Sequence, residues 1–364
     1  MKFSIIVIIF MTIFIFSCKR IDNKIVTTNE YASLYKIEEF NGYKKIKIEL
    51  NDKTTRTYIL TEKDNIDDSL KKYTFVKLPI KKAVYLSTTQ LGFVETLNKR
   101  ETVKGVCSGY YIYDAKLQKA YNSGEIEEIG SYPNINTEKI IQINPDVVFA
   151  YDFDSKVMST EDMLKKFNIP VVYVNEYLES HPLGRAEWIK FFGAFFQEDS
   201  LANYIFKEIE ERYNSISKKQ LKEKKGILLN IPFQGIWYLP GKDSYFVKMI
   251  KDAGGNYLWN NLQGVSSYPV TLEQIYAKKD SIDIWLNTGR AKTIKEIINT
   301  EPKVKLFYNN SIKIYNNTKR INHNGGNDFW ESGVVRPDLI LQDLNYIFEG
   351  DVQDDSLVYY FQIK

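Results

Sequence analysis

Histidine and cysteine are the scarcest chemistry-bearing residues in this chain of 364, with two of each. A receptor for a bare metal ion needs several imidazoles and carboxylates converging on one cation, and His181 and His323 lie in unrelated loop-like stretches. The thiols support no disulfide framework, because Cys18 falls in the apolar leader and leaves Cys107, in KGVCSGY, without an intrachain partner. Cys107 reads as a small buried residue near a strand end. Catalytic signatures are missing as well: there is no G-x-S-x-G, no H-E-x-x-H, no Walker A lysine loop and no G-x-G-x-x-G. An excess of one charge sign is also absent, since 49 basic residues against 46 acidic ones leave a formal charge of +3. That excludes the basic footprint of a nucleic-acid binder.

Aromatic residues are what the chain has in abundance: 26 Tyr, 21 Phe and five Trp. Its length allows two ordinary domains, and 44% hydrophobic with 26% charged residues is globular composition. The first 18 residues, MKFSIIVIIFMTIFIFSC, carry one Lys and an apolar run from Ile5 to Phe16, the pattern of a secretory signal. The Ile15-Phe16-Ser17-Cys18 ending resembles a bacterial lipobox, with Phe16 bulkier than that pattern prefers. The resemblance implies that Cys18 is lipidated, with a plain membrane anchor as the alternative.

Residues 19–76 hold alternating runs such as YKKIKIEL and RTYILTE, which predict a tether and a small β appendage. From residue 77 to 198, strand-like and helix-period segments alternate, with a strand at Ala83–Leu86, a helix over Thr137–Ile143 and a strand at Val147–Tyr151. Such alternation predicts an α/β lobe with a mainly parallel sheet. DSLANYIFKEIEERYNSISKKQLK then predicts one uninterrupted helix over 199–223, on the order of 35 Å long. A second α/β series covers 224–350, and 351–364 reads as a tail. The expected fold is therefore α/β: two Rossmann-like lobes joined by a long helix, with little relative motion, plus an N-terminal β appendage.

The chain repeats itself. NTEKIIQINPDVVFAY at 136–151 is echoed by TLEQIYAKKDSIDIWLN at 271–287, each with a Glu opening a short helix, then an Asp, then an apolar strand. A carboxylate in a first helical turn is ordinarily explained by the helix dipole. Two of them at matched places in two lobes, Glu138 and Glu273, suit a partner that is itself two-fold or pseudo-two-fold symmetric.

On IGSYPNINTEKIIQINPDVVFAY, SYPVTLEQIYAKKDSIDIWL, PGKDSYFVKMIKDAGGNYLW and NDFWESGVVRPDLILQDL, spanning about 77–350, the chain resembles class III substrate-binding proteins. These serve ABC importers of iron–siderophore complexes, heme and cobalamin. The resemblance implies that Glu138 and Glu273 dock onto arginines of two permease subunits, which work with a separate ATPase. It implies no enzymatic activity and no resident cofactor. The protein is expected as a monomer in the cell envelope, lipid-anchored on the periplasmic side or on the outer surface of the cytoplasmic membrane.

In two-lobed α/β proteins ligands bind beyond the carboxyl ends of the strands, where the lobes face each other. Tyr110, Tyr111, Tyr132, Trp237, Tyr238, Tyr268, Phe329 and Trp330 lie in Gly- and Pro-rich turns there. Rings in such turns are poorly placed to fill a core and suit a large, partly apolar chelate or tetrapyrrole. Tyr132, Trp237, Tyr238, Tyr268, Asp328 and Trp330 fall where the resembling family lines its cleft. No Arg cluster appears in these turns, and Arg185, two residues before Glu187 at a helix start, reads as a structural ion pair. An iron–siderophore or related metal chelate is the expected cargo, with heme or a corrinoid as the alternative. The reading of a different class is a secreted enzyme using Asp328 and Glu331 as a carboxylate pair.

Overall fold

The computed structural model describes the backbone of 25–27 and residues 29–364, apart from 66, 153, 154, 220, 222, 351 and 353. The leader and Cys18 lie outside the described residues. The chain opens with strands β1 (Ile25–Thr27), β2 (Tyr35–Phe40), β3 (Tyr43–Glu49), β4 (Thr55–Thr61) and β5 (Thr74–Lys77), paired in that order as one sheet. In β3 the period of two buries Ile46 and Ile48 while Lys45 and Lys47 stay partly exposed. The buried face joins the same hydrophobic core as the lobe that follows.

That lobe contains β6 (Ala83–Tyr85), α1 (Leu91–Thr96), β7 (Val103–Val106), α2 (Ala115–Asn122) and β8 (Glu127–Glu128). A hairpin of β9 (Gly130–Ser131) and β10 (Asn134–Ile135) leads into α3 (Thr137–Ile143), β11 (Val147–Ala150), α4 (Ser155–Lys165) and β12 (Val171–Tyr173). Its parallel sheet has the order β8-β7-β6-β11-β12. β6 and β11 are buried at every position, because helices cover both faces. The lobe ends in α5 (Pro182–Phe196), in which every residue but Lys190 is buried.

Helix α6 (Asp199–Ser217) stops short of the predicted 223 and packs on α5 on one side and on a C-lobe helix on the other. The second lobe comprises β13 (Gly226–Leu229), β14 (Trp237–Pro240), α7 (Tyr245–Asp252), β15 (Asn256–Tyr257), β16 (Ser267–Val270), α8 (Leu272–Tyr276) and β17 (Ile284–Leu286). It continues through α9 (Ile294–Thr300), β18 (Lys313–Asn316), α10 (Ser332–Val335), α11 (Pro337–Glu349) and β19 (Phe361–Ile363). Its sheet has the order β15-β13-β17-β18-β19, while β14 and β16 pair antiparallel as a separate two-stranded sheet. The segment read as a tail thus supplies β19, which pairs antiparallel with β18.

Buried carboxylates dock the appendage. Glu187 accepts the backbone N–H groups of Glu30, Tyr31 and Ala32 at 3.0, 2.9 and 2.8 Å. Glu179 accepts those of Ser33 and Leu34 and the indole N–H of Trp188. The expected Arg185–Glu187 pair does not form. Arg185 reaches Glu176 at 3.2 Å, because Glu187 is engaged by the appendage and by Lys190.

A further carboxylate closes the seam between the lobes. Glu331 accepts the amides of Tyr113 and Asp114 at 2.8 and 2.7 Å, and Asn322 donates to the carbonyl of Ile112 at 2.7 Å. The chain must pass so closely here that a Cβ on Gly326 would sit 2.3 Å from the carbonyl oxygen of Tyr111.

Replacing Glu187 by Ala leaves three amides without their acceptor and is expected to cost at least about 3 kcal/mol in urea unfolding. Burial, reinforced by the nearby Asp328 and Glu95 carboxylates, pushes Glu331 up to about 8 from an ordinary 4.5, against the two amides that lower it. Between about pH 4.5 and pH 8 the folded chain therefore holds a proton that the unfolded chain releases, and this contribution to stability fades across that range and is gone above about 8. Thermal melts are expected to fall between about pH 4.5 and pH 8 and to level off above, with a shallower fall in Glu331→Gln.

Candidate functional site

Three C-lobe strands end in asparagine, and those ends build the main cavity. β13 runs into Asn230, β17 into Asn287 and β18 into Asn316-Asn317. Asn230 and Asn287 turn the chain outward with φ of 63° and 62°, a left-handed conformation that asparagine tolerates better than most residues. Their side chains are braced: Asn230 donates to the carbonyl of Tyr238 at 2.9 Å, and Asn287 accepts from the Tyr360 hydroxyl at 2.9 Å. Asn230, Asn287, Asn317 and Asn327 all line a cavity of about 820 Å³.

The N-lobe closes this cavity with Tyr177, Leu178 and Glu179, and Tyr245, Phe246 and Trp330 supply the aromatic wall. Arg290 brings the cationic group, and among the described residues it has no ion-pair partner. A second compartment of about 340 Å³ shares Tyr177, Tyr245 and Trp330 with the first and extends toward Ser87, Gln90, Tyr151 and Arg185 in the N-lobe. There Arg185 lies over the Tyr245 ring at 4.4 Å while paired with Glu176, whose carboxyl is raised by burial. The Gln90 side-chain oxygen and the Arg185 Nε are buried on this wall without a hydrogen-bond partner. The cleft thus offers polar amides, one free guanidinium and flat aromatic faces, the lining of a site for a sizeable organic molecule.

The aromatic candidates separate by environment. Trp330 is 47% exposed and stands on the wall of both compartments. Trp237 is core: it is 1% exposed, donates to the carbonyl of Leu229 at 2.7 Å and packs on Trp285 and Phe307. Alternation explains this, since Trp237 and Leu239 face inward on β14 and leave Tyr238 and Pro240 on the other face. Pro240 lines the cavity, while the exposed Tyr238 is not on its wall.

Asp328 and Phe329 are buried and do not reach the ligand space. Asp328 engages Arg320 at 2.6 Å, and Phe329 packs edge-on to Tyr359 and Tyr360. The rings of Tyr110 and Tyr111 meet at a tilt of 47°, centroids 4.2 Å apart, beside the inter-lobe seam. Tyr132 leans on Tyr151, and the Tyr268 hydroxyl donates to the carbonyl of Gln263. None of these four lines either compartment. Sequence reasoning passed over Arg290, Tyr177, Tyr245 and the asparagines, although a strand ending in Asn three times over was a usable signal.

Glu138 and Glu273 are both exposed in the first turns of α3 and α8. Asn136 caps α3 by accepting the Lys139 amide, and Thr271 with Gln274 forms a capping box on α8. Each helix precedes the strand that pairs with the first strand of its lobe, β11 with β6 and β17 with β13. Both helix starts therefore lie at the carboxyl edge of their sheets, the edge where the cleft opens. The carboxyl of Glu273 is held below its usual range by its own backbone amide, by Thr271 and by Lys303.

The periplasmic binding protein family model matches residues 84–307. The chain belongs to this family. As a member it is a substrate-binding protein of an ABC transporter rather than an enzyme. It is 27% identical over 345 residues to an uncharacterized lipoprotein of Methanocaldococcus jannaschii, covering 89% of this chain and 80% of that one. An uncharacterized ABC transporter substrate-binding lipoprotein of Bacillus subtilis is 26% identical over 51% of this chain and 57% of its own length. Among solved structures, a periplasmic heme-binding protein from Pseudomonas aeruginosa matches at 12% identity with a TM-score of 0.59, covering 79% of this chain and 99% of that one. A periplasmic binding protein from Veillonella parvula matches at 15% identity and a TM-score of 0.58, covering 88% of this chain and 99% of that one. These likenesses carry the two-lobed fold. No helix among the described residues is long and apolar enough to cross a membrane.

Trp237→Ala is expected to lower the unfolding free energy by about 3–5 kcal/mol in urea titrations. The half-exposed Trp330 is different, and Trp330→Ala should change stability by less than about 1 kcal/mol.

Proposed function

We propose that this chain is the lipid-anchored capture protein of an importer for an iron–siderophore or related metal chelate. The observation that supports this best is the cleft: a cavity of about 820 Å³ walled by both lobes, with Arg290 among asparagines and aromatic rings. A chelate presents carbonyl and carboxylate oxygens around an apolar frame. The planar guanidinium and the amide donors suit that periphery, and the rings suit the frame. Relatives named as lipoproteins and a solved neighbour described as an Fe3+-hydroxamate transport component are in keeping with it. Heme is the second reading, favoured by Tyr177 and Tyr245 on the wall and by heme-binding proteins among the structural neighbours.

In this reading Cys18 carries the lipid and holds the protein at the outer face of the cytoplasmic membrane or in the periplasm. Ligand enters between the lobes and contacts Trp330, Tyr177 and Arg290. Glu138 and Glu273 meet basic residues on two permease subunits, and ATP hydrolysis by a separate subunit drives release. The helix α6, packed against both lobes, limits their relative motion.

Tryptophan fluorescence titrations with hemin, cyanocobalamin, and ferric hydroxamate, catecholate and citrate complexes test the cargo. A ferric chelate is expected to quench the signal at micromolar concentration or below, Trp330→Ala to weaken binding by at least about tenfold, and Arg290→Gln to weaken anionic chelates most. Tight binding of hemin alone overturns the chelate reading. Glu138→Ala combined with Glu273→Ala is expected to leave these affinities unchanged and abolish cellular uptake, and equal loss of both counts against docking.

A further inference from the structure

The loop between β13 and β14 carries an apolar tip that neither the core nor the cleft uses. Phe233 is 66% exposed and Ile236 43% exposed, with Tyr238 at 41% two residues on. Isolated exposed hydrophobics are ordinary, but three large ones within six residues form a patch. The tip is also rigid. Phe233 and Ile236 exchange backbone hydrogen bonds of 2.8 and 3.1 Å, and Gln234 and Gly235 between them have φ of 52° and 77°. Two successive left-handed residues make the tight two-residue hairpin that presents its flanking side chains in a fixed geometry. Beneath it, Trp237 anchors the strand through its bond to Leu229 and its ring contacts with Trp285 and Phe307.

What lies beside the tip identifies its occupant. Pro232 and Gly235 share a narrow crevice with Leu272, Glu301 and Lys303. Leu272 immediately precedes Glu273, and Lys303 is the basic group that acts on the Glu273 carboxylate. The apolar tip and the exposed acid therefore belong to one continuous surface. The cavity lies elsewhere, since neither Phe233 nor Ile236 lines it. The turn before Glu138 in the N-lobe differs: it carries Tyr132, which is half-buried against Tyr151.

Building on the docking role assigned above to Glu138 and Glu273, we propose that the Phe233–Ile236 hairpin is a one-sided hydrophobic anchor for the permease. It inserts into an apolar depression on the extracytoplasmic surface of the subunit whose basic residue meets Glu273. Acidic contacts at an interface rim govern orientation and encounter rate and weaken with salt, whereas a desolvated apolar contact slows dissociation and tolerates salt. A preformed turn loses little conformational freedom on docking, so its side chains contribute most of their burial to affinity. The C-lobe then holds the transporter more firmly than the N-lobe does.

The test uses the full-length protein in detergent and its cognate permease–ATPase complex in nanodiscs, with docking followed by surface plasmon resonance in the absence of added ligand. Phe233→Ser combined with Ile236→Ser is expected to raise the dissociation rate by at least about tenfold at low and high salt, with an unchanged melting temperature and unchanged chelate titrations. Phe233→Leu, which keeps an apolar side chain, should retain most of the docking. Glu138→Ala with Glu273→Ala should instead lower the association rate and flatten its salt dependence. If the serine variant docks like the parent while the alanine pair fails, the anchor is overturned and the acidic docking role stands. If the alanine pair docks normally, the docking role itself is wrong. Loss of chelate binding in the serine variant, or a parent dimer in sedimentation that the variant dissolves, also overturns the anchor.

Discussion

Carboxyl groups that accept runs of consecutive backbone amides hold the loops and layers of this molecule in register. Glu187 and Glu179 together take the amides of residues 30 to 34. Glu331 takes those of 113 and 114 across the lobe seam, and Glu128 takes those of 108 and 109 at 3.1 and 2.8 Å. Asp343 takes those of 358, 359 and 360, which is what brings the C-terminal segment back to the sheet as β19. Each case meets the same need: a loop packed against a lobe exposes N–H groups that the regular ladders do not fully satisfy, and the two oxygens of a carboxyl group accept them. The appendage is thereby a layer of the N-lobe, sharing its core through Tyr35, whose ring packs on Trp188 at 4.8 Å.

A cleft between two lobes depends on that fixity. Its walls come from strand ends and loops that make few regular backbone bonds, so their shape is inherited from what braces them. Asn230 and Asn287 fix the ends of β13 and β17 while leaving the wall polar, and the Trp285 indole bonds the Asn230 carbonyl from below at 2.6 Å. Trp330, Tyr177 and Arg290 on the cavity wall then project from a frame braced by the buried carboxylates and by α6. The glycine-rich loops once expected to contact ligand, 109–114 and 323–333, are largely spent on each other at the seam.

The lobes, the long helix and the opening helices of both echoes were legible because their signals are local: period, caps and flanking turns. Helix α3 lies at Thr137–Ile143 and α7 at Tyr245–Asp252, where the pattern put them. Helix α5 was harder to see, because a helix buried on all sides has no polar face to mark its period. The site was less legible for a related reason. An aromatic in a turn reads the same whether its ring points to solvent or to core, and that choice, opposite for Trp330 and Trp237, is made by the strand pleat and by partners distant in sequence. Arg290 escaped notice because its loop carries no aromatic companion, only the asparagine-ended strand before it.

The two lobes do not repeat one another strand for strand. Numbered within each lobe, the N-lobe sheet runs 3-2-1-4-5 and the C-lobe sheet 2-1-3-4-5, with an antiparallel last strand. These are the two common doubly wound orders, and both reverse beside the first strand. In each lobe the strand across that reversal is the one that follows the Glu-bearing helix. The echo between 136–151 and 271–287 is therefore confined to the part of each lobe where a crossover helix meets the switch point. Elsewhere the lobes differ in strand order and in the exposed Phe233–Ile236 turn of the C-lobe. Glu138 and Glu273 thus stand at corresponding places in two unlike sheets, each exposed in the first turn of the helix that leads to the switch-point strand.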